Sequence, residues 1–183
     1  MLRVLKITAP DIANGPGCRV TLWVAGCSNK CEGCHNKWTW DYNQGLTYTD
    51  NKEHVMGELD KWLSRDITSG LTLSGGDPMC QDREAINELV EICKAVREKY
   101  PSKDIWAYTG LVVEDIVGDK SSNKIDLLKM CDVVIDGKYV KELRDVTHTP
   151  FRGSKNQRLI DVKKTLEMGE TIEIHRKSLW ERE

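Results

Sequence analysis

Along the 183 residues, apolar positions switch repeatedly between the two-residue period of strands and the longer period of helices. Residues 4–7 form a short apolar stretch that reads as an edge strand, and Asn14-Gly15-Pro16-Gly17 after it supplies turn dihedrals. Residues 19–25 are rich in β-branched and aromatic side chains and run straight into Gly26. That pattern predicts a buried strand delivering the next loop at its C-terminal end. Asp50 with Glu53 three residues on resembles a capping box, and Val55, Met56, Leu59, Trp62 and Leu63 then recur at helical spacing. Residues 71–74 predict a second strand ending at Gly75-Gly76-Asp77-Pro78, where the glycines let a ligand approach the backbone and the proline stops ladder pairing. From 82 to 100, Ile86, Leu89, Val90, Cys93 and Val96 share one face, which predicts an amphipathic helix ended by Pro101.

A third strand is expected over 104–108, closed by Thr109-Gly110, with short helical turns at 113–117 and 125–130. Residues 131–136 are nearly all apolar until Asp136, as suits a strand covered on both faces, and Gly137 and Lys138 follow. A last strand is expected over 159–162, while 170–183 is a mixed charged segment without a firm assignment. Strand and helix alternating at these intervals argue for an α/β fold with a mostly parallel sheet, as in a partial (incomplete) βα barrel. In such sheets ligands bind beyond the carboxyl ends of the strands, so the loops after the successive strands should open on one side.

Composition narrows the function classes. The length suits a single domain, 1–183, burying roughly 70% of the surface its unfolded chain exposes. Twenty-seven Lys and Arg against 29 Asp and Glu leave a net charge of -2, so no global field favours nucleic acid or an anionic membrane as partner. Residues 1–11 alternate apolar and basic character and reach Pro10 without a long apolar run, which fits neither a signal peptide nor a membrane span; a cytoplasmic location is expected. Seven cysteines, an odd number with three in one loop, suit reduced thiols and a metal site better than a disulfide framework.

That loop, Cys27-Ser28-Asn29-Lys30-Cys31-Glu32-Gly33-Cys34, carries the candidate chemistry. Its short spacers let three thiolates curl around one centre. A four-iron four-sulfur cluster held this way keeps one iron open to a small molecule. Zinc completed by His35 or a distant residue is an alternative, and so is a redox dithiol at Cys31 and Cys34. The other polar motifs have plainer readings. Gly75-Gly76-Asp77-Pro78 is by itself a turn, Asp136 and Lys138 fit a solvated turn, and residues 152–158 fit a surface loop. Cys18, Cys80, Cys93 and Cys131 read as small buried hydrophobes. The sequence holds no Ser-His-Asp or paired-carboxylate constellation.

Taken in order, the motifs NGPGCR (14–19), CEGCHN (31–36), SGGDP (74–78), YTG (108–110), DVVIDGKY (132–139) and RGSKNQR (152–158) resemble those of the radical S-adenosylmethionine enzymes. The likeness covers most of the chain and is greatest to the branch that activates glycyl radical enzymes, in particular to activases of anaerobic ribonucleoside-triphosphate reductase. The resemblance implies that Cys27, Cys31 and Cys34 hold one four-iron four-sulfur cluster, whose open iron chelates the amino and carboxylate groups of S-adenosylmethionine. It places Asn36, Ser74, Gly75, Gly76 and Asp77 among the cofactor-binding residues, the glycine loop touching the methionyl amino group mostly through backbone. Thr109 and Asp136, with Lys138 behind, match positions around the methionyl carboxylate, and around a monovalent cation in some activases. The implied reaction is one-electron cleavage of the sulfonium to methionine and a 5'-deoxyadenosyl radical, which takes hydrogen from a glycine of the partner. An external electron donor is implied, and the partner is the large subunit of a glycyl radical enzyme, with a formate-lyase-like enzyme as the alternative to the reductase. Three positions depart from wider family patterns: Gly33 where many members carry an aromatic residue, Asp77 where glutamate is usual, and His35 where many activases have tyrosine. Trp38, Trp40 and the 152–158 loop are expected to dock the partner.

Overall fold

The computed structural model describes residues 1–145, 147 and 150–175. Its strands are β1 (Arg3–Asp11), β2 (Cys18–Val24), β3 (Leu46–Thr47), β4 (Thr68–Gly75), β5 (Asp104–Tyr108), β6 (Val133–Asp136) and β7 (Arg158–Asp161). The helices between and after them are α1 (Lys52–Leu63), α2 (Arg83–Lys99), α3 (Val113–Gly118), α4 (Lys124–Leu128) and α5 (Val162–Met168). All seven strands join one open sheet in the order β3-β1-β2-β4-β5-β6-β7. The contiguous run β2, β4, β5 and β6 is parallel, and β1, β3 and β7 extend it with antiparallel pairings. The α/β, mostly parallel expectation holds, with one change: β1 is not the edge, because the two-residue β3 pairs outside it.

Strand side chains alternate between faces, and here the two faces have different fates. Val20, Leu22 and Val24 of β2, Leu71 and Leu73 of β4, Ile105 and Ala107 of β5 and Val134 of β6 meet the buried faces of α1, α2, α3 and α4 in the main core. The opposite face carries Arg19, Thr21, Thr72 and Ser74, then a small apolar cluster of Trp106, Val133, Ile135 and Leu159. Helix α2 forms as its pattern requires. Asp82 caps it by accepting from the Ala85 N–H at 2.7 Å, and Ile86, Leu89, Val90, Cys93 and Val96 are buried. The capping box expected before α1 is absent. Asp50 instead accepts from Thr47 Oγ1 at 2.6 Å, and a short 3-10 turn at Thr49–Asn51 leads into the helix.

The open face has a built floor. Arg19, fully buried, donates from Nε to Thr72 Oγ1 at 2.6 Å, from Nη1 to Asp104 at 2.7 Å and from Nη2 to the Leu71 carbonyl at 2.8 Å. Its guanidinium lies 5.3 Å from the Trp106 ring centroid. Removing a partner from so fully buried a cation is costly, because the remaining charge is left without compensation. Beyond β7 comes α5, an element the sequence pattern does not predict, capped by Asp161 accepting from the Lys164 N–H at 3.0 Å and ended by left-handed Gly169. Residues 176–183 of the charged tail lie outside the described residues.

Candidate cofactor site

Cysteine delivery depends on the register of β2. Val24 is its last residue, and the Gly26 and Cys27 N–H groups then donate to the carbonyls of Thr39 and Trp40 at 2.7 and 3.2 Å, so the loop folds back on the turn after it. Gly26 has φ +96° and a Cβ there would sit 2.1 Å from the Tyr42 ring, so both conformation and space require glycine. Cys27 is buried, while Cys31 and Cys34 are half-buried. Burial pushes the Cys27 thiol up, and hydrogen bonds from the Asn29 and Lys30 backbone pull against it. The Asn36 N–H donates to Cys34 Sγ at 3.4 Å. Such N–H groups aimed at sulfur stabilise thiolates and tune iron-sulfur centres.

The strand after it closes the site from the side. Gly76 N–H donates to the Val24 carbonyl at 2.8 Å and Asp77 N–H to the Gly26 carbonyl at 2.9 Å. A Cβ on Gly76 would lie 2.2 Å from the Gly26 oxygen, and one on Gly75 would lie 2.5 Å from that of Val24. The glycines are therefore required first by the neighbouring backbone, a reason additional to ligand approach. The Asp77 carboxylate is buried and accepts from Asn29 Nδ2 at 2.7 Å, Gly110 N–H at 2.8 Å, Met79 N–H at 2.9 Å, and Thr109 Oγ1 and Cys80 Sγ at 3.2 Å each. Cys80, half-buried, is thus a donor to this group as well as a packing residue, and burial followed by the adjacent Asp77 charge pushes its thiol up to about 12. Cys93 and Cys131 are buried as expected, and Cys18 is half-buried.

These loops enclose a cavity of about 560 Å³ at the carboxyl ends of β2, β4, β5 and β6. Cys27, Cys31, Cys34, Asn36, Ser74, Gly75, Gly76, Asp77 and Thr109 all line it. Asp136 and Lys138 do not. Ile135 belongs to the open-face cluster, so the next side chain points to the helix face, where Asp136 accepts from Val113 N–H at 2.9 Å and from Arg158 Nη2 at 2.6 Å. Lys138 is exposed, and only the intervening Gly137 reaches the wall. The 152–158 segment also differs from a surface loop. Arg152, Gly153 and Gln157 line the cavity, Ser154 is fully buried, and Gln157 Oε1 accepts from the Gly153 N–H at 2.8 Å. Arg152 is the one Lys or Arg in the wall among the described residues. Asn29, Tyr139 and Phe151 are wall residues that sequence reasoning did not single out, although DGKY and RGSKNQR, quoted as motifs, contain or adjoin two of them.

The docking candidates separate. Trp38 is exposed, 5.9 Å from the Trp23 ring, with Lys6 over both rings at 4.7 and 4.9 Å, whereas Trp40 is half-buried.

The donor set fits an iron-sulfur cluster: three thiols share one wall, beside backbone donors to sulfur and next to room for a further ligand. Among the described residues, no three His, Cys, Asp or Glu side chains converge as a single ion requires. A cluster asks for less convergence, since each of its irons takes its own thiolate. No helix of the described residues is long and apolar enough to cross a membrane.

Comparison with known proteins agrees with that donor set. Residues 13–160 match the family model described as a 4Fe-4S single cluster domain. The chain is 48% identical over 155 residues to the anaerobic ribonucleoside-triphosphate reductase-activating protein of Enterobacteria phage T4, covering 84% of this chain and 90% of that protein. It is 35% identical to the protein of the same name from Escherichia coli K12 and 36% identical to that of Vibrio cholerae, each over 148 residues, 80% of this chain and 90% of the relative. A solved structure, QueE from Escherichia coli, overlaps 60% of this chain and 53% of its own at 14% identity with a TM-score of 0.44, too partial a likeness to carry weight. The match supports an iron-sulfur cluster over zinc or a simple dithiol.

Proposed function

Because the chain belongs to the family of anaerobic ribonucleoside-triphosphate reductase-activating proteins, we propose that it binds S-adenosylmethionine beside a cluster held by Cys27, Cys31 and Cys34 and installs a glycyl radical on such a reductase. The observation that carries this reading is the sharing of one cavity by the three cysteines and the Ser74-Gly75-Gly76-Asp77 and Thr109 segments. When bound, the cluster supplies the electron that cleaves the sulfonium, received from an external reductant. The chain's own residues bind, orient and shield. Backbone of Gly75 and Gly76 lines the cavity where the methionyl amino group would sit, and Arg152, the one Lys or Arg of the wall among the described residues, offers a cation to the carboxylate. No acid or base is needed, which suits a wall whose one buried carboxylate is already satisfied by protein donors.

The test is transfer to the partner. Mixed anaerobically with the large subunit of an anaerobic ribonucleoside-triphosphate reductase, S-adenosylmethionine and a reductant, the protein should produce an organic radical signal on that subunit. The Cys27→Ala, Cys31→Ala and Cys34→Ala variants should each abolish it. A radical formed equally well by all three variants would refute the ligand assignment, and no radical on the reductase alongside one on a formate-lyase-like enzyme would transfer the activity to that partner.

A further inference from the structure

We propose that Asp77 is a positioning residue that clamps the cysteine loop to the loop after β5, and does not itself contact the ligand; the functional consequence rests on the S-adenosylmethionine-binding role proposed above. Its carboxylate faces two structures that the chain separates widely. Oδ2 accepts from Asn29 Nδ2, between Cys27 and Cys31, at 2.7 Å, and from Gly110 N–H and Thr109 Oγ1, at the end of β5, at 2.8 and 3.2 Å. Oδ1 accepts from Met79 N–H at 2.9 Å. With only 2% of the residue exposed, the carboxylate is turned to protein donors and not to the cavity. Gly110 corroborates the clamp independently. A Cβ there would lie 2.4 Å from Asn29 Nδ2, so the glycine of the YTG motif is what admits the Asn29 amide to its place.

At the middle of the cysteine loop, the ion pair on the far side is the weaker attachment. Lys141 pairs with Glu32 at 2.8 Å, but both side chains are more than half exposed, and such pairs are screened by water. Charge-assisted bonds inside a buried pocket are the stronger hold. The short aspartate also acquires a reason: a longer glutamate would drive its carboxylate into Asn29 and Gly110, which already touch.

The test is hydrogen exchange on the metal-free full-length protein, followed by kinetics on the reconstituted enzyme. In Asp77→Ala and Asn29→Ala, amides of residues 27–34 and of Gly110 should exchange about tenfold faster than in the parent, given what a hydrogen bond to a buried charge contributes. Amides in the centres of β4 and β5 should be unchanged. Asp77→Asn, near-isosteric and retaining one acceptor, should fall between, and serves if the alanine variant fails to fold. In reconstituted protein, Asn29→Ala should raise the KM for S-adenosylmethionine about tenfold with kcat changed far less, because the clamp joins two walls that the ligand spans. Unchanged exchange in all variants, or faster exchange in the Asp77 variants with none in Asn29→Ala, would overturn the clamp. The exchange result stands apart from the functional reading: a parent protein that binds no iron defeats the latter while leaving the clamp to be judged on exchange alone.

Discussion

Gly76 faces the Gly26 carbonyl so closely that a methyl group would lie 2.2 Å from its oxygen, and both partners are backbone. The contact joins the end of β4 to the residue before Cys27, so it sets the position of the first cysteine. Gly76→Ala should destabilise the protein by about 2–3 kcal/mol, as overpacking against unyielding atoms does. Chemical denaturation of the metal-free protein measures it, and an unchanged midpoint would mean that the two loops are not apposed as described. At this scale the sequence was informative about residue type and silent about the partner. Glycine at 75 and 76 reads as freedom for a ligand, whereas the first demand comes from a strand some fifty residues earlier in the chain. Asp136 shows how local pattern alone sets the face a side chain takes. Strand alternation from Ile135 places it on the helix face whatever its likeness to a ligand position suggests.

Among elements, α3, β6 and β7 are tied by one arginine. Arg158 donates to both Glu114 oxygens at 2.9 and 2.7 Å and to both oxygens of the fully buried Asp136. This bonding holds the Glu114 carboxyl down at about 2, from an ordinary value of 4.5. A depressed carboxylate contributes stability that is present above 4.5 and lost as pH falls through that window toward about 2. Because Glu114 is half exposed, the contribution is screened to less than about 1 kcal/mol. Glu114→Gln should therefore flatten the pH dependence of stability between about 5 and 2 without altering stability at low pH, read by circular dichroism across an acid titration. Equal slopes for parent and variant would remove the Arg158–Glu114 pair as the tie to α3. Helix α2 is legible because one buried face dictates its pattern, and β5 because its apolar run suits a strand buried on both faces. Helix α5 is not, since only Val162 and Thr165 are buried in it and seven residues give too little period to read.

For the whole molecule, a sheet covered by helices on one face leaves the other to hold chemistry. The Arg19 network stiffens the open face of the sheet, the loops at the carboxyl ends of β2, β4, β5 and β6 line the cavity, and the segment after β6 adds Tyr139, Phe151 and Arg152 to its wall. The parallel run and the strand-end placement of its motifs follow from the chain's own order of strands and helices. The cavity's far wall does not, because it is built by irregular backbone whose turns carry no period. The central claim is that this cavity joins a three-cysteine cluster to bound S-adenosylmethionine. It is tested most directly by reconstituting the protein anaerobically, reducing it, adding S-adenosylmethionine and measuring iron and 5'-deoxyadenosine together. The account predicts about four irons per chain and 5'-deoxyadenosine formed only with the reductant present. Stoichiometric zinc in place of iron, or a full cluster that forms no 5'-deoxyadenosine, would contradict it.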